Sequence, residues 1–247
     1  MKHFTLVSIV CALVLSLSSG ICIAQETADE VLNKVKKACD PQDKCKSINT
    51  MVTTAKVKTF DGKEGELIVE LKKPGKVRIE VKGTDFAILK LCDGKKAWDF
   101  STKDGLRELT GKELEMLRFQ ALYLAPDSNL KEIFPKTTLE GDAEFAGGKC
   151  YKLKCEAAPE FSSEPYIMYV DKKTCLVVKS EEKHIIKDQT IEITTVYENY
   201  EDVDGIVVPM TIISEFDNKI REVKIDSVKW DEDLPDSDFE PPKTLGN

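Results

Sequence analysis

The sequence predicts a mainly β (α+β) protein in which one curved antiparallel sheet curls into a barrel or half-barrel. Strand-like segments follow one another along the chain, and turn signals separate them. Three short segments instead have the spacing of amphipathic helices. So few short helices cannot cover the outside of a sheet with about a dozen strands, and we expect them to fill or lid its concave face.

Residues 1–24 have the layout of a secretory signal peptide: a basic start, an uncharged run over residues 4–17 and small residues near the end. We therefore expect cleavage after Ala24, a soluble exported protein and a single domain over residues 25–247. A lipid anchor on Cys22 is the less favoured alternative, because Ile21 stands where the attachment signal requires a small residue.

The first helix is predicted from Thr27 to Ala38. Val31, Leu32 and Val35 recur at helical spacing and share one face, and acidic residues occupy the first turn, where the helix dipole favours them. The segment is therefore a short amphipathic helix with one face to bury.

About five strands follow, and the stretch ELIVELKKPGKVRIEV at residues 66–81 has the clearest alternation. Its apolar side chains lie on one face and its charged ones on the other, so two neighbouring strands each have an apolar face to bury. The turn signals between the strands of this half are Asp61-Gly62, Pro74-Gly75, Asp93-Gly94 and Asp104-Gly105.

The middle of the chain is helical. Thr110 and Glu113 have the spacing of a capping box, and the apolar residues that follow keep helical spacing up to Pro126. A second brief helix is predicted from Asn129 to Phe134. The chain then returns to about seven strands, roughly at 138–146, 149–157, 165–170, 175–183, 189–200, 206–216 and 219–230.

Composition narrows the function. The net charge of −8 disfavours nucleic acid and anionic lipid surfaces as partners. Beyond the predicted signal peptide His184 is the only histidine, and no sequence motif for a nucleophile, a metal site or a phosphate loop occurs. We therefore predict no enzyme activity, no metal and no cofactor. A hydrolase with an unrecognised pair of carboxylates is the alternative.

Six cysteines follow the predicted signal peptide: Cys39, Cys45, Cys92, Cys150, Cys155 and Cys175. An even number in an exported protein suggests disulfides. The first bridge we expect is Cys39–Cys45, which would join the end of the first helix to the next loop. The pairing of the other four stays open. Zinc is the rival interpretation, but the sequence has no Cys-x-x-Cys.

Several segments, in order, resemble the periplasmic outer-membrane lipoprotein carriers of the LolA type and the broader lipoprotein-sorting family. From Gly65 to Phe100 a strand ends at a basic-Pro turn, a second strand follows, and an Asp-Gly-Lys precedes a tryptophan. DVDGIVVPMTI at 202–212 and the ending Asp236-Ser-Asp-Phe-Glu-Pro-Pro242 extend the resemblance. It covers most of residues 27–243, and the order and spacing of the segments carry it.

The resemblance implies an unclosed half-barrel with a helical plug and lid over an apolar cavity. Such carriers receive acylated lipoproteins from an inner-membrane release complex and pass them to an outer-membrane acceptor, without a cofactor. They have an arginine before the proline of the basic-Pro turn, which holds the lid closed. Lys73 stands there in this sequence, so a lid latch at Lys73 should be weaker or differently built.

The predicted function is thus a monomeric periplasmic carrier that shields the acyl chains of lipoproteins or related lipids during transfer to the outer membrane. A lipid- or lipoprotein-sensing regulator or scaffold of the same fold is the alternative. Ordinary core packing is the competing explanation for the apolar residues proposed to line the cavity or the lid. The predicted cavity-lining residues are Leu67, Val69, Leu71, Val77, Ile79, Val81, Phe86, Ile88, Trp98 and Phe100, and the predicted lid residues are Leu114, Leu117, Leu122 and Leu124.

Overall fold

The computed structural model describes residues 26–159, 164–186 and 189–241. The predicted signal peptide with Cys22, the side chain of His184 and Pro242 lie outside the described residues. No helix within the described ranges is long and apolar enough to cross a membrane.

All strands of these ranges belong to one antiparallel sheet of 13 strands, in the order β6-β5-β4-β3-β2-β1-β13-β12-β11-β10-β9-β8-β7. Except for β6 and β7, strands that are consecutive in sequence pair with each other, and β1 pairs with β13. The two outer strands, β6 and β7, are not paired with each other, so the sheet stays open and the predicted half-barrel is confirmed. The strands are β1 Thr50–Lys58, β2 Glu64–Lys72, β3 Lys76–Gly83, β4 Ala87–Asp93, β5 Ala97–Ser101, β6 Gly105–Leu109, β7 Lys136–Phe145, β8 Gly148–Glu156, β9 Tyr166–Asp171, β10 Val177–Ile186, β11 Gln189–Val203, β12 Ile206–Phe216 and β13 Lys219–Trp230.

The helices are α1 (Ala28–Cys39), α2 (Gly111–Leu124) and α3 (Leu130–Ile133), with short 3-10 turns at Lys44–Lys46 and Asp236–Phe239. They fall where the sequence predicts helices. The ends of α1 and α3 differ from the prediction by one residue.

The starts of α1 and α2 are capped differently. Thr27 and Glu30 form a complete capping box at α1. The capping box predicted at α2 is wrong, because the Thr110 side chain makes no capping hydrogen bond. Glu113 instead accepts hydrogen bonds from Arg107, from Nη1 to Oε2 at 2.8 Å, and is thereby held by β6.

Helix α2 bridges the two halves of the sheet. Its Leu117 packs in a cluster with Leu71 and Val77 of β2 and β3, while its Tyr123 donates to or accepts from Tyr166 of β9 at 2.9 Å. β2 and β9 are far apart in the strand order, so one helix can contact both only across the inner face of a curled sheet. That face is the concave face, and α1 also packs on it, against β8 and β9.

The C-terminal segment, residues 232–241, packs on the convex face against β3 and β4. Its Phe239 is fully buried, and the Asp236 carboxylate lies 2.8 Å from the ammonium groups of both Lys72 and Lys76. We name this segment the strap.

The prediction that Trp98 and Phe100 share a face with the apolar residues of β2 and β3 is wrong. Trp98 is paired with Leu91 and Phe100 with Leu89, and directly paired residues of antiparallel strands point to the same face. Leu91 pairs in turn with Arg78, whose guanidinium donates to a strap carbonyl. The register therefore places both aromatic residues on the convex face.

All six cysteines of the described residues are thiols, so the predicted Cys39–Cys45 bridge is not formed in the structure. Burial is the main cause that raises the pKa of Cys39 to about 11 and that of Cys155 to about 12. The pKa of Cys45 is also raised to about 12, by burial and by the nearby carboxylate of Asp40.

Candidate functional site

The aliphatic side chains of β2, β3 and β4 line one side of the concave face. Cross-strand pairing sets this arrangement: Leu71 stands opposite Val77, and Val69 opposite Ile79. The same face continues into β4 through the pair of Val81 and Ile88. We name this surface the aliphatic wall, and it contains seven of the ten predicted cavity residues: Leu67, Val69, Leu71, Val77, Ile79, Val81 and Ile88.

Burial changes along the aliphatic wall. Leu71 and Val77 retain 2% and 0% of their accessible surface, because Leu117 and Ala121 of α2 cover them. Farther from α2, the remaining members of the wall are only half-buried. The helix therefore covers one end of the wall and leaves the rest partly accessible.

The lid residues predicted on α2 do not all face the sheet. Leu117 is buried, and Leu114 and Leu124 pack at the edge of the same cluster. The prediction for Leu122 is wrong, because this side chain is 42% exposed. Leu122 stands one position from Ala121, which takes the inward place in the helical turn.

Phe86 lies at the end of the wall farthest from α2, in the turn between β3 and β4. A Cβ atom at Gly83 would lie 2.0 Å from the Phe86 ring, so the ring sits directly on the backbone of Gly83. The ammonium of Lys63 stands 5.1 Å from the ring centroid. Phe86 therefore covers the end of β3 on the concave side.

The opposite side of the concave face is polar, which the sequence pattern did not predict. Ser180, Thr195 and Ser214 stand side by side on β10, β11 and β12, and all three are buried. The hydroxyl groups of Thr195 and Ser214 are 3.1 Å apart. The available signal was Thr195 and Tyr197, two positions apart in β11 and thus on one face of the strand. We name this surface the polar wall.

A chain of hydroxyl groups connects the polar wall to α2. Tyr197 contacts Ser180 at 3.1 Å and Tyr166 at 3.3 Å, and Tyr166 contacts Tyr123 of α2 at 2.9 Å. Burial raises the pKa values of Tyr123 and Tyr166 well above their ordinary range. The two phenols therefore remain neutral hydrogen-bonding groups at physiological pH.

Lys73, the predicted latch residue, contacts the chain just beyond α2. Its ammonium lies 3.0 Å from Oδ2 of Asp127, which follows the proline that ends the helix. It also donates to the carbonyl groups of Cys45 and Lys46, each at 3.3 Å. Lys73 thus joins the β2–β3 turn to the loop after α2 and to the 3-10 turn at Lys44–Lys46. Its contact at the end of α2 is a side-chain carboxylate.

A second contact holds the other side of α2. Arg118 donates through Nη2 to the carbonyl of Lys95, in the turn between β4 and β5. Its Nε atom is buried and has no hydrogen-bond partner among the described residues.

Within the part of the chain that the structure describes, no group of three or more histidine, cysteine, aspartate or glutamate side chains is arranged to hold a metal ion.

Comparison with known proteins agrees with this geometry. A family model described as "Uncharacterized protein" matches residues 130–243, and no curated protein matches the sequence. Among solved structures, the chain is similar to a LolA superfamily protein from Nitrosomonas europaea, with 18% identity and a TM-score of 0.59 over 88% of this chain and 99% of that one.

Two further structures agree over a similar length. A DUF1329 family protein from Desulfovibrio piger has 15% identity and a TM-score of 0.60, over 87% of this chain and 98% of that one. A domain described as an outer membrane lipoprotein-sorting protein, from Vibrio parahaemolyticus, has 14% identity and a TM-score of 0.55, over 84% and 94%. The chain therefore has the LolA-like fold.

Proposed function

We propose that this protein is a periplasmic carrier that shields the acyl chains of lipoproteins, or of related lipids, in its concave face during transfer to the outer membrane. The observation that carries the proposal is the change of burial along the aliphatic wall. Leu71 and Val77 are covered by α2, whereas Val69 and Ile79 of the same strands are half-buried.

An acyl chain gains from such a surface. Each CH₂ group removed from water contributes about 0.8 kcal/mol, so a chain laid along the wall is stabilised in proportion to the length that it buries. Because the sheet is curved, it can contact an acyl chain on more than one side, as a concave apolar binding site does.

Release of the lipid is easier if the empty protein covers part of the same surface with its own side chains. Leu117 and Ala121 already cover one end of the wall. Movement of α2 would exchange these side chains for lipid and so limit the free-energy difference between the empty and loaded states. The contacts of Lys73 and Arg118 at the two sides of α2 are suited to set how readily it moves.

The likeness to a domain described as lipoprotein-sorting supports lipoproteins or lipids as ligands. By the same resemblance, the expected partners are an inner-membrane release complex and an outer-membrane acceptor. The expected location is the periplasm, and the expected state is a monomer without cofactor or enzyme activity.

A transfer experiment tests the proposal. The purified protein is mixed with donor vesicles that carry an acylated peptide, separated from them, and analysed by native mass spectrometry before it meets acceptor vesicles. A carrier forms a complex with the mass of the acylated peptide and delivers it to the acceptor. A sensor of the same fold binds the peptide but does not accelerate its delivery. If the protein forms no lipid complex with either acylated peptide or phospholipid, the proposal is refuted.

A further inference from the structure

Arg221 brings a positive charge to the concave face near the turn between β12 and β13. It stands on β13 directly opposite Ser214 of the polar wall, and its Nη2 donates to Ser214 Oγ at 3.2 Å. Its guanidinium carbon lies 5.4 Å from the ring centroid of Phe60, which itself packs edge-on against Phe216. The charged group is therefore oriented by one hydroxyl and one aromatic face.

Most N–H donors of this guanidinium have no acceptor among the described residues. Arginine carries five N–H donors, and the Ser214 hydroxyl is its one hydrogen-bond acceptor among the described residues, where it also forms no ion pair. The carboxylate of Glu182 attracts the guanidinium of Arg221 electrostatically. The chain has more acidic than basic residues, 44 against 36, so a shortage of carboxylates does not explain the missing ion pair.

The surroundings of Arg221 are unusual for an exposed residue. The residue as a whole is exposed, yet desolvation by the protein around the guanidinium lowers its pKa. Both observations fit a side chain that lies inside an open trough, with protein on its flanks and solvent above it. In such a setting, a bound anion interacts more strongly with the guanidinium than it would on a flat surface.

We propose that Arg221 is an anion subsite, which binds the phosphate or carboxylate headgroup of an amphiphile whose acyl chain lies along the aliphatic wall. The inference rests on the proposed function and adds the class of ligand to it. Guanidinium groups are well suited to this task, because their forked donors match the oxygens of both anions.

The apolar surface next to Arg221 has the position that such a ligand needs. Val223 follows two residues later on the same face of β13 and packs in a cluster with Val57. Leu67 of the aliphatic wall packs against this cluster. An acyl chain attached to a headgroup at Arg221 would therefore meet apolar side chains two residues along the strand, at Val223.

The test uses three ligands that share one oleoyl chain: oleate, oleoyl lysophosphatidate and the uncharged monoolein. Binding is measured for the wild-type chain and for Arg221→Gln, with thermal melting to verify that the variant is folded. Lys224→Gln is the matched control, because it makes the same change of charge on the outer face of the same strand.

Arg221→Gln is expected to weaken oleate or lysophosphatidate binding by about tenfold or more, as loss of a charge-assisted hydrogen bond would do, and to leave monoolein binding unchanged. The anion that is affected more identifies the headgroup as carboxylate or phosphate. Lys224→Gln should alter none of the three affinities. Equal effects of Arg221→Gln on all three ligands, or no effect on any, would overturn the anion subsite while leaving the carrier function intact. If the wild-type protein binds none of the three ligands, the anion subsite is overturned. The proposed function itself fails only if acylated peptide and phospholipid also form no complex.

Discussion

The ammonium of Lys73 lies 3.0 Å from the carboxylate of Asp127, and this ion pair joins the turn between β2 and β3 to the loop that follows α2. The side chains of Lys73 and Asp127 are 23% and 39% exposed, so water weakens the pair without abolishing it. A contact of this strength can hold α2 against the aliphatic wall and still break often.

Lys73→Ala should therefore accelerate lipid exchange. A partly exposed ion pair contributes about 0.2–1 kcal/mol, so the expected increase in the exchange rate is at most about fivefold. The rate is measured by transfer of a fluorescent acyl chain between vesicles. Asp127→Ala should also accelerate exchange, and the double variant should add little to Lys73→Ala alone, because both single changes remove the same ion pair.

Lys73→Arg should slow the exchange, since a forked guanidinium can hold the Asp127 carboxylate and the neighbouring carbonyl groups together. Additive effects in the double alanine variant would show that Lys73 and Asp127 act separately and would remove this pair from the account.

Tyr123→Phe should destabilise the closed position of α2. The change removes the hydroxyl that contacts Tyr166 at 2.9 Å and keeps the ring that packs against Phe134. We expect a loss of about 0.5–1.5 kcal/mol in the free energy of unfolding, measured in urea, and faster lipid exchange.

Tyr169→Phe is the control for that substitution. Tyr169 also donates its hydroxyl, to Glu181 at 3.2 Å, but it points to the convex face. This variant should leave lipid exchange unchanged. If Tyr169→Phe accelerates exchange as much as Tyr123→Phe does, the hydroxyl chain has no particular role in holding α2.

The strap should loosen in acid. Hydrogen bonds from Lys72 and Lys76 lower the pKa of Asp236 from 3.8 to about 2. Because the pKa is lowered in the folded state, the contribution of Asp236 is present above about pH 4 and is lost as the pH falls to about 2. The melting temperature of the wild type should exceed that of Asp236→Asn at neutral pH, and the difference should shrink over this interval. A difference that stays constant with pH would contradict the assignment.

Phe239→Ala should reduce stability and spare lipid binding. The ring of Phe239 in the strap is fully buried, and removal of a buried phenylalanine ring costs about 3–5 kcal/mol. Because the strap lies on the convex face, the affinity for an acyl chain should remain near that of the wild type at temperatures where the variant is folded. Urea unfolding and lipid titration of one sample measure both quantities. A selective loss of lipid affinity in the folded variant would mean that the two faces are coupled.

The sequence predicted the fold well because its signals are local. Alternation along β2 and β3, the turn signals between strands and the spacing of Val31, Leu32 and Val35 each depend on neighbouring residues. These signals suffice for the order of helices and strands and for the seven residues of the aliphatic wall.

Two of the errors arose where the long-range pairing of strands decides which face a residue lies on. Alternation within one short strand cannot tell which face is concave, so Trp98 and Phe100 were assigned to the wrong side, and only the pairing with Leu91 and Leu89 corrects them. The polar wall was missed for a related reason. Ser180, Thr195 and Ser214 resemble solvated strand residues until three strands are brought side by side.

Lipid binding on the concave face is the central claim, and two adjacent residues of β2 test it most directly. Val69 lies on the aliphatic wall, while Ile68 points to the convex face, and both are half-buried. The two variants Val69→Glu and Ile68→Glu place the same charge on the same strand, and native mass spectrometry with an acylated peptide measures complex formation for each. We expect Val69→Glu to lose the complex and Ile68→Glu to keep it while both variants remain folded. Retention of the complex by Val69→Glu, or equal loss in both folded variants, would contradict the claim.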